Sequence, residues 1–447
     1  MSAHAPLEHR AVLRIALPVM LSNLSTPLIG VVDTAIVGHY PTPAYIGAVA
    51  VGALIFTFAF WAFGFLRMGT TGLTAQALGA GDNAEVAAGL GRALLIALAS
   101  GAGLILVQWP LREIAFGLLG ASPHVESLAR GYFNVRIWSA PAALANYALL
   151  GWFIGLGRTD IGLVLQLVLN LTNMALDALF VLGFGWDVRG VAFGTLLAEY
   201  LAAAVGVLIA LRHVGRLGKP WDLGRILDKA RLRRALSVNR DIMIRTLALI
   251  AAFLWFIAQG ARQGDVTLAA NSVLMQFIGI AAYFLDGLAF AAEALVGRAV
   301  GGALREGLTA AARLTTLWAV ALAAALALLF GVLGPLFIDA LTVDGAVRVA
   351  ARHYLLWAAF APLAGVWAFQ LDGIFIGATR TADMRRAMLL ALAIFLAAWW
   401  LLRPLGNQGL WAAFYVHYAA RAGTLLYYFP GLVRSVPSCA ASAAAPR

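Results

Sequence analysis

Asp33 lies inside LPVMLSNLSTPLIGVVDTAIVGH (17–39), a stretch otherwise long enough and apolar enough to cross a bilayer. An ionised side chain at the centre of a membrane helix costs about 2.5–3.5 kcal/mol, so this acid is expected to face a cavity or a partner. Such a residue suits proton carriage, because its neutral form sits among apolar groups far more cheaply than its charged form. The competing reading is a structural acid paired with a base on a neighbouring helix. Further along, Gln166, Asn170, Asn173 and Asp177 follow one another at spacings of four, three and four, which puts all four on one face of an α-helix. A polar stripe inside lipid must face protein or water.

Depth brings these residues together. Asp33 is six residues before His39, Asp177 is eight before Gly185, and Thr195 is six after Arg189. At about 1.5 Å per residue all three fall roughly 9–12 Å below the same, outer surface. Asp33, Asp177, Asn173 and Thr195 are therefore expected to meet, and two carboxyls in contact can share one proton. The alternative is an interhelical network that only holds helices together. Pro18 and Pro27 precede Asp33 in its helix, and each removes a backbone hydrogen bond, so a kink or hinge is expected at one of them. In the second half of the chain, Asp286 and Glu293 lie seven apart on one helix face, and Asp372 stands in a later apolar run. Arg240, Asp241, Arg245, Gln370 and His417 are further polar points there, and internal ion pairs would account for most of that group. Arg67 and Arg136 are expected to snorkel or pair.

The elements that carry these residues are membrane helices. Of 447 residues 62% are hydrophobic and only 12% charged, about half the charge of an ordinary soluble domain. Apolar runs broken by Gly, Pro and charge give an all-α membrane protein of twelve transmembrane helices, at about 10–39, 45–78, 88–109, 124–156, 160–184, 189–212, 235–260, 268–299, 307–338, 345–377, 384–403 and 407–433. FIGLGRT at 153–159 returns as FIGATRT at 375–381, and AQALG at 75–79 faces GRAVG at 297–301 at the same displacement of 222. The chain thus reads as an internal duplication: a six-helix lobe over 1–211, a basic cytoplasmic connection over 212–234, a second six-helix lobe over 235–433 and a disordered tail over 434–447. Duplicated lobes of one topology place their site at the repeat interface, so a central cavity is expected.

The net charge of +11 does not point to nucleic acid, because the basic residues crowd into the connections on one side, above all 212–234. By the positive-inside rule both termini are cytoplasmic. The only cysteine, Cys439, allows no disulfide framework. No GxxxxGK[ST], HExxH or metal-spaced Cys/His cluster occurs, so neither ATP hydrolysis nor a metal or other cofactor is expected. Work must then come from an ion gradient, at about 2.3 kcal/mol per charge per 100 mV and roughly 1.4 kcal/mol per pH unit.

The segments ALPVMLSNLSTPLIGVVDTAIVGH (16–39), LRMGTTGLTAQALGAG (66–81), SVNRDIMIR (237–245), YFLDGLAFAAEA (283–294) and LDGIFIGATR (371–380) resemble the multidrug and toxic compound extrusion (MATE) family, in its DNA-damage-inducible protein F branch. The likeness runs from Leu13 to Pro430. It implies two six-helix lobes in a V, exporting amphipathic or cationic small molecules by alternating access against protons or sodium. It also implies that Asp33 is the central coupling acid, that Asn173, Asp177 and Thr195 complete its network, and that Pro18 marks the bend. The sodium-coupled branch has an acid in the middle of its seventh helix, whereas LALIAAFLWFIAQG (247–260) has none, which favours H+ over Na+. The expectation is a monomeric proton-coupled exporter of the bacterial inner membrane, not an enzyme. A flippase for lipid-linked precursors is the main rival, and it would need a strongly basic central cavity.

Overall fold

The computed structural model describes residues 8–38, 42–218 and 221–437, apart from the side chains of 26–29, 31 and 34. His39, Lys219, the Pro27 side chain and the Cys439 tail lie outside the described residues. Every regular element among the described residues is helical. In order they are α1 (His9–Val37), α2 (Ala44–Ala62), α3 (Phe65–Gly79), α4 (Asn83–Leu106), α5 (Gln108–Leu119), α6 (Pro123–Arg136), α7 (Ala140–Gly155), α8 (Thr159–Asp177), α9 (Asp187–Arg216), α10 (Leu223–Ile226), α11 (Lys229–Ala261), α12 (Asp265–Gly301), α13 (Arg305–Leu341), α14 (Gly345–Gly377), α15 (Thr381–Leu402) and α16 (Gly406–Ser435).

Among the described residues ten stretches are long and apolar enough to cross a membrane, and one of them, Thr381–Ser435, holds both α15 and α16. Counting these two separately and adding α1 gives the twelve expected spans. Two of the spans are broken helices. The second runs as α2 and α3 around Phe63 and Gly64, and the fourth runs as α6 and α7 around a 3-10 turn at Ile137–Ser139. The cause of the second break is Pro141, which has no N–H to continue an α-helical ladder.

Three boundaries differ from the sequence reading. The connection at 212–234 is shorter, because α9 continues to Arg216 and α11 starts at Lys229. Charged residues there extend helices beyond the apolar runs. Within it α10 is pinned down: Arg92 donates to the carbonyls of Arg225 and Ile226 at 3.0 and 3.3 Å, and Arg225 pairs with Asp82 at 3.0 Å. The tail begins later than 434, since α16 reaches Ser435 and the Val436 carbonyl accepts from Arg305 at 2.7 Å. Finally, α5 is a helix that the hydropathy pattern misses, being too short to span. Arg130 ties it to α6 through Glu113 at 2.7 Å, and this guanidinium, with Arg112 beside it, holds the exposed Glu113 carboxyl down to about 2.

The duplication is written into the backbone. Left-handed residues recur 222 positions apart, Gly81 with Ala303 and Gly157 with Thr379. The same displacement relates two helix crossings. Gly151 and Gly155 of α7 lie against the Arg67 and Thr71 carbonyls of α3, and Gly373 and Gly377 of α14 lie against the Ala289 and Glu293 carbonyls of α12. A Cβ at any of these four glycines would collide with backbone, so the helices meet this closely only because the side chain is missing.

The chain forms two compact units, and two pieces of the first half of the sequence belong with the second half. The first unit comprises Leu21–Thr74 and Asp82–Leu236; the second comprises Met1–Met20, Ala75–Gly81 and Ser237–Arg447. In the second unit, Gln76 donates to the Gly377 carbonyl and to Thr379 Oγ1, both at 3.0 Å. Its core is aromatic, built on Phe256, Phe277, Phe330, Phe395, Trp411 and Phe414. The helix α1 belongs to both units, and it passes from one to the other two residues after Pro18.

Candidate functional site

In the first unit the stripe of α8 is where the spacing puts it. Asn170, Asn173 and Asp177 are buried, and each is tied to a neighbouring helix or points at one. Gln166 Nε2 donates to Asn170 Oδ1 at 2.7 Å, Asn170 Nδ2 to Ser25 Oγ of α1 at 2.8 Å, and Ser25 to the Ser22 carbonyl at 2.7 Å. One turn further on, Asn173 Nδ2 donates to Thr195 Oγ1 of α9 at 3.1 Å, and Thr195 to the Val191 carbonyl at 2.9 Å. Two chains of hydrogen bonds thus fix α8 against α1 and α9.

Asp177 stands at the last α-helical position of α8, where the helix widens into a π-helical turn at Ala178–Gly183. Such turns shift the side chains beyond them around the axis and are frequent at functional sites. The carboxyl of Asp177 is fully buried and lies within hydrogen-bond reach of the Asp33 carboxyl. The Asn173 amide lies beside Asp177 and directs one of its two N–H donors to Thr195. Neither Asp177 oxygen, nor the buried Oδ1 of Asp33, receives a hydrogen bond from a nitrogen or hydroxyl. Room for this pair comes from Gly194 of α9, where a Cβ would fall on Asp177 Oδ1. Two acids in contact, both short of donors, are arranged to hold one proton between them, since the proton turns one carboxyl into the donor its partner lacks.

The neighbourhood contains residues the sequence reading did not place. Glu199, one helical turn beyond Thr195 on α9, accepts from Asn146 of α7 at 2.7 Å and pairs with Arg136 of α6 at 3.4 Å. The i, i+4 spacing puts Glu199 on the same side of α9 as Thr195, but its partners come from α6 and α7. Arg136 is buried, its guanidinium 5.5 and 5.3 Å from the Phe56 and Phe60 ring centroids. It pairs, as one of the two expected options had it, and with Glu199. Trp152 and Phe277 are buried core residues, and Trp152 donates to the Val86 carbonyl at 2.9 Å.

The second unit treats its acids differently. The Asp372 carboxylate of α14 accepts from Arg245 of α11 and, at 2.7 Å, from Arg421 of α16, all three being buried. Asp241 pairs with Arg240 and Arg385. Glu293 is buried on α12 and Asp286 partly so, the latter close enough to Arg245 to act on it electrostatically. His417 stands beside the Arg245, Asp372 and Arg421 cluster with Nδ1 3.3 Å from the Ala391 carbonyl. Gln370 is fully buried two residues from Asp372, and therefore points away from it. Pro18 lies in α1 without interrupting it, as does the backbone of Pro27.

Comparison with known proteins adds family and fold. The MatE family model matches residues 18–179 and, a second time, residues 242–404. The chain is 40% identical to DNA damage-inducible protein F of Escherichia coli strain K12, over 93% of this chain and 91% of that one. It is 26% identical to the chloroplastic Protein DETOXIFICATION 44 of Arabidopsis thaliana, over 92% of this chain and 80% of the other. Among solved structures, the Vibrio cholerae MATE transporter VcmN in its bent form superposes with a TM-score of 0.84 at 20% identity, covering 96% of this chain and 97% of that one.

Proposed function

The chain belongs to the MATE family of multidrug efflux transporters, and from that premise we propose that it exports amphipathic or cationic compounds across the bacterial inner membrane in exchange for protons, with Asp33 and Asp177 as the coupling acids. The observation that carries this reading is the contact of the fully buried Asp177 carboxyl with the half-buried one of Asp33, while the nearby Arg136 pairs with Glu199 instead. With one proton the pair bears a single negative charge and can hold a cation. A second proton removes that charge and with it the attraction, so proton uptake from outside and cation release become alternatives.

Around this centre, the hydrogen bonds of Asn173 with Thr195 and of Asn170 with Ser25 would rearrange as the charge changes. A bend of α1 during the cycle would fall at Pro18, and what supports this is that the helix changes unit two residues later. Both termini are placed in the cytoplasm by the distribution of basic residues. A monomer suffices, since the acids, amides and hydroxyl come from one chain. Sodium in place of the proton is the second form of this reading, and what speaks against it is the lack of an acid in the middle of α11 and the double arginine clamp on Asp372.

Purified protein in liposomes loaded with ethidium, given first a pH gradient and then a sodium gradient, tests the proposal. The expected result is efflux that follows the pH gradient, ignores sodium and disappears in Asp33→Asn. Full proton-driven efflux by Asp33→Asn would overturn the role of the pair, and efflux driven by sodium alone would overturn the choice of ion.

A further inference from the structure

Arg136 places a positive charge close enough to Asp33 and Asp177 to act electrostatically on both, while its ion-pair partner is a third acid, Glu199, at 3.4 Å. Its position follows from the broken fourth span. Ala140 N–H turns to the Ile137 carbonyl, and the Arg136 carbonyl it would have served accepts from Ser139 Oγ at 2.8 Å instead. The helix thus opens at the residue that carries the guanidinium. Glu199 is held independently, by Asn146 at 2.7 Å, and Asn146 also reaches the Glu199 carbonyl at 3.0 Å. Of the two contacts on the Glu199 carboxylate, the one to Arg136 is the longer.

We propose that Arg136 is a tethered counter-charge that sets the pH at which the Asp33–Asp177 pair takes and gives up its proton, and that Glu199 holds the arginine back from the pair. The inference rests on the proton-coupled reading above. When the pair gives up its second proton, the negative charge that appears in an apolar interior draws the guanidinium towards it. Glu199 opposes that movement, and the balance fixes how readily the proton leaves. Charged and titratable groups face Arg136 from every side: Asp33 from α1, Asp177 from α8, Glu199 from α9, Tyr132 from α6 itself and Tyr147 from α7. Arg67 of α3 acts on Tyr147 from the same region, and α2 presents Phe56 and Phe60. Arg136 is a positioning residue in this scheme: it touches neither substrate nor proton, and acts through the pair.

The consequence is a pair of opposite shifts. Arg136→Gln removes the charge that favours the ionised pair, so the pair keeps its proton to higher pH. Glu199→Gln leaves Arg136 tied only through its hydrogen bond to Ser139 Oγ and no longer drawn to an acid on α9, so it can lean towards the ionised pair, which then loses its proton at lower pH. Each shift should be on the order of one pH unit. In the Arg136→Gln background Glu199→Gln should no longer take the midpoint below that of the wild type, because it acts through the arginine, and Arg136→Lys, which retains the charge, should stay near the wild-type midpoint.

The readout is the infrared absorption of protonated carboxyl groups in the detergent-purified protein, followed against pH. The pair's band is the part that Asp33→Asn removes, so no substrate or transport is needed. The pH profile of driven ethidium efflux, measured alongside, should move in the same directions. Shifts of the same sign, or none, with a wild-type band that still titrates would overturn the role of Arg136 and leave proton coupling standing. A wild type with no titrating band that Asp33→Asn removes would overturn both. Should Arg136→Gln fail to fold, Glu199→Gln alone carries the prediction, since a merely structural contact would lower yield without moving the midpoint.

Discussion

The face of α8 that carries Asn170, Asn173 and Asp177 has a counterpart 222 positions on, and there α15 carries Leu392, Phe395 and Trp399. The two helices begin at matching residues, Thr159 and Thr381, and bury matching positions, Asn173 and Phe395 among them. One copy of the repeat therefore fills this surface with amides and an acid, the other with an aromatic core. The reverse holds at Asp372, whose counterpart in α7 is Leu150. Duplication preserved what shapes the backbone, namely the left-handed turns and the glycine crossings, and left the polar chemistry free to diverge.

The charges differ as much as the positions. In the first unit two acids face each other and the nearby arginine is held by a third. In the second, one acid is held by two arginines at once. A carboxyl that meets another carboxyl must take up a proton or a cation to be stable; one clamped between guanidiniums already has its counter-ions. On the proposed reading the first arrangement would titrate in the course of a cycle, whereas the second would act as a structural tie.

The largest effect expected is functional. Asp177→Asn should reduce pH-driven ethidium efflux to that of protein-free liposomes, while Asp372→Asn should leave the efflux of the folded fraction responsive to the pH gradient. If the two substitutions behaved alike, the contrast between the units would break. Next in size is the cost of opening the clamp. Asp372→Leu leaves two buried guanidiniums uncompensated and should destabilise the protein by about 3–5 kcal/mol, read as a lower Tm in detergent; replacing Arg245 and Arg421 by Met as well should recover most of it.

Exchanging residues between the repeats sharpens the comparison. Phe395→Asn should cost about 3 kcal/mol, from the lost aromatic contacts and an amide without partners. The reciprocal Asn173→Leu removes a buried oxygen that has no donor, so its Tm should change little while efflux falls about tenfold, as befits one lost hydrogen bond worth about 1–1.5 kcal/mol. Smallest is Gly194→Ala, whose methyl group pushes on the Asp177 carboxyl; a loss of about 1–3 kcal/mol in stability is expected, together with a changed pH profile of efflux.

The polar centre of the first unit was legible because helix periodicity and depth both constrain it. Asn170, Asn173 and Asp177 share a face by spacing alone, and Asp33 and Thr195 reach the same level by counting residues from the span ends. Glu199 and Asn146 escaped, since each is a single polar residue in an apolar run and only the packing of α7 against α9 brings them together. Partner choice was out of reach for a similar reason: nothing in the spacing of Arg245, Asp372 and Arg421 says that two arginines converge on one acid. The amphipathic α5 escaped a search for long apolar runs, and the grouping of Ala75–Gly81 with the second unit depends on helix crossings that no local pattern encodes.

Proton release on binding tests the central claim most directly. A pH electrode in a weakly buffered solution of the purified protein, titrated with ethidium near the midpoint of the pair's band, should record up to about one proton released per ethidium bound by the wild type, and none by Asp177→Asn. Binding by the wild type without release, or equal release by Asp177→Asn, would contradict the account.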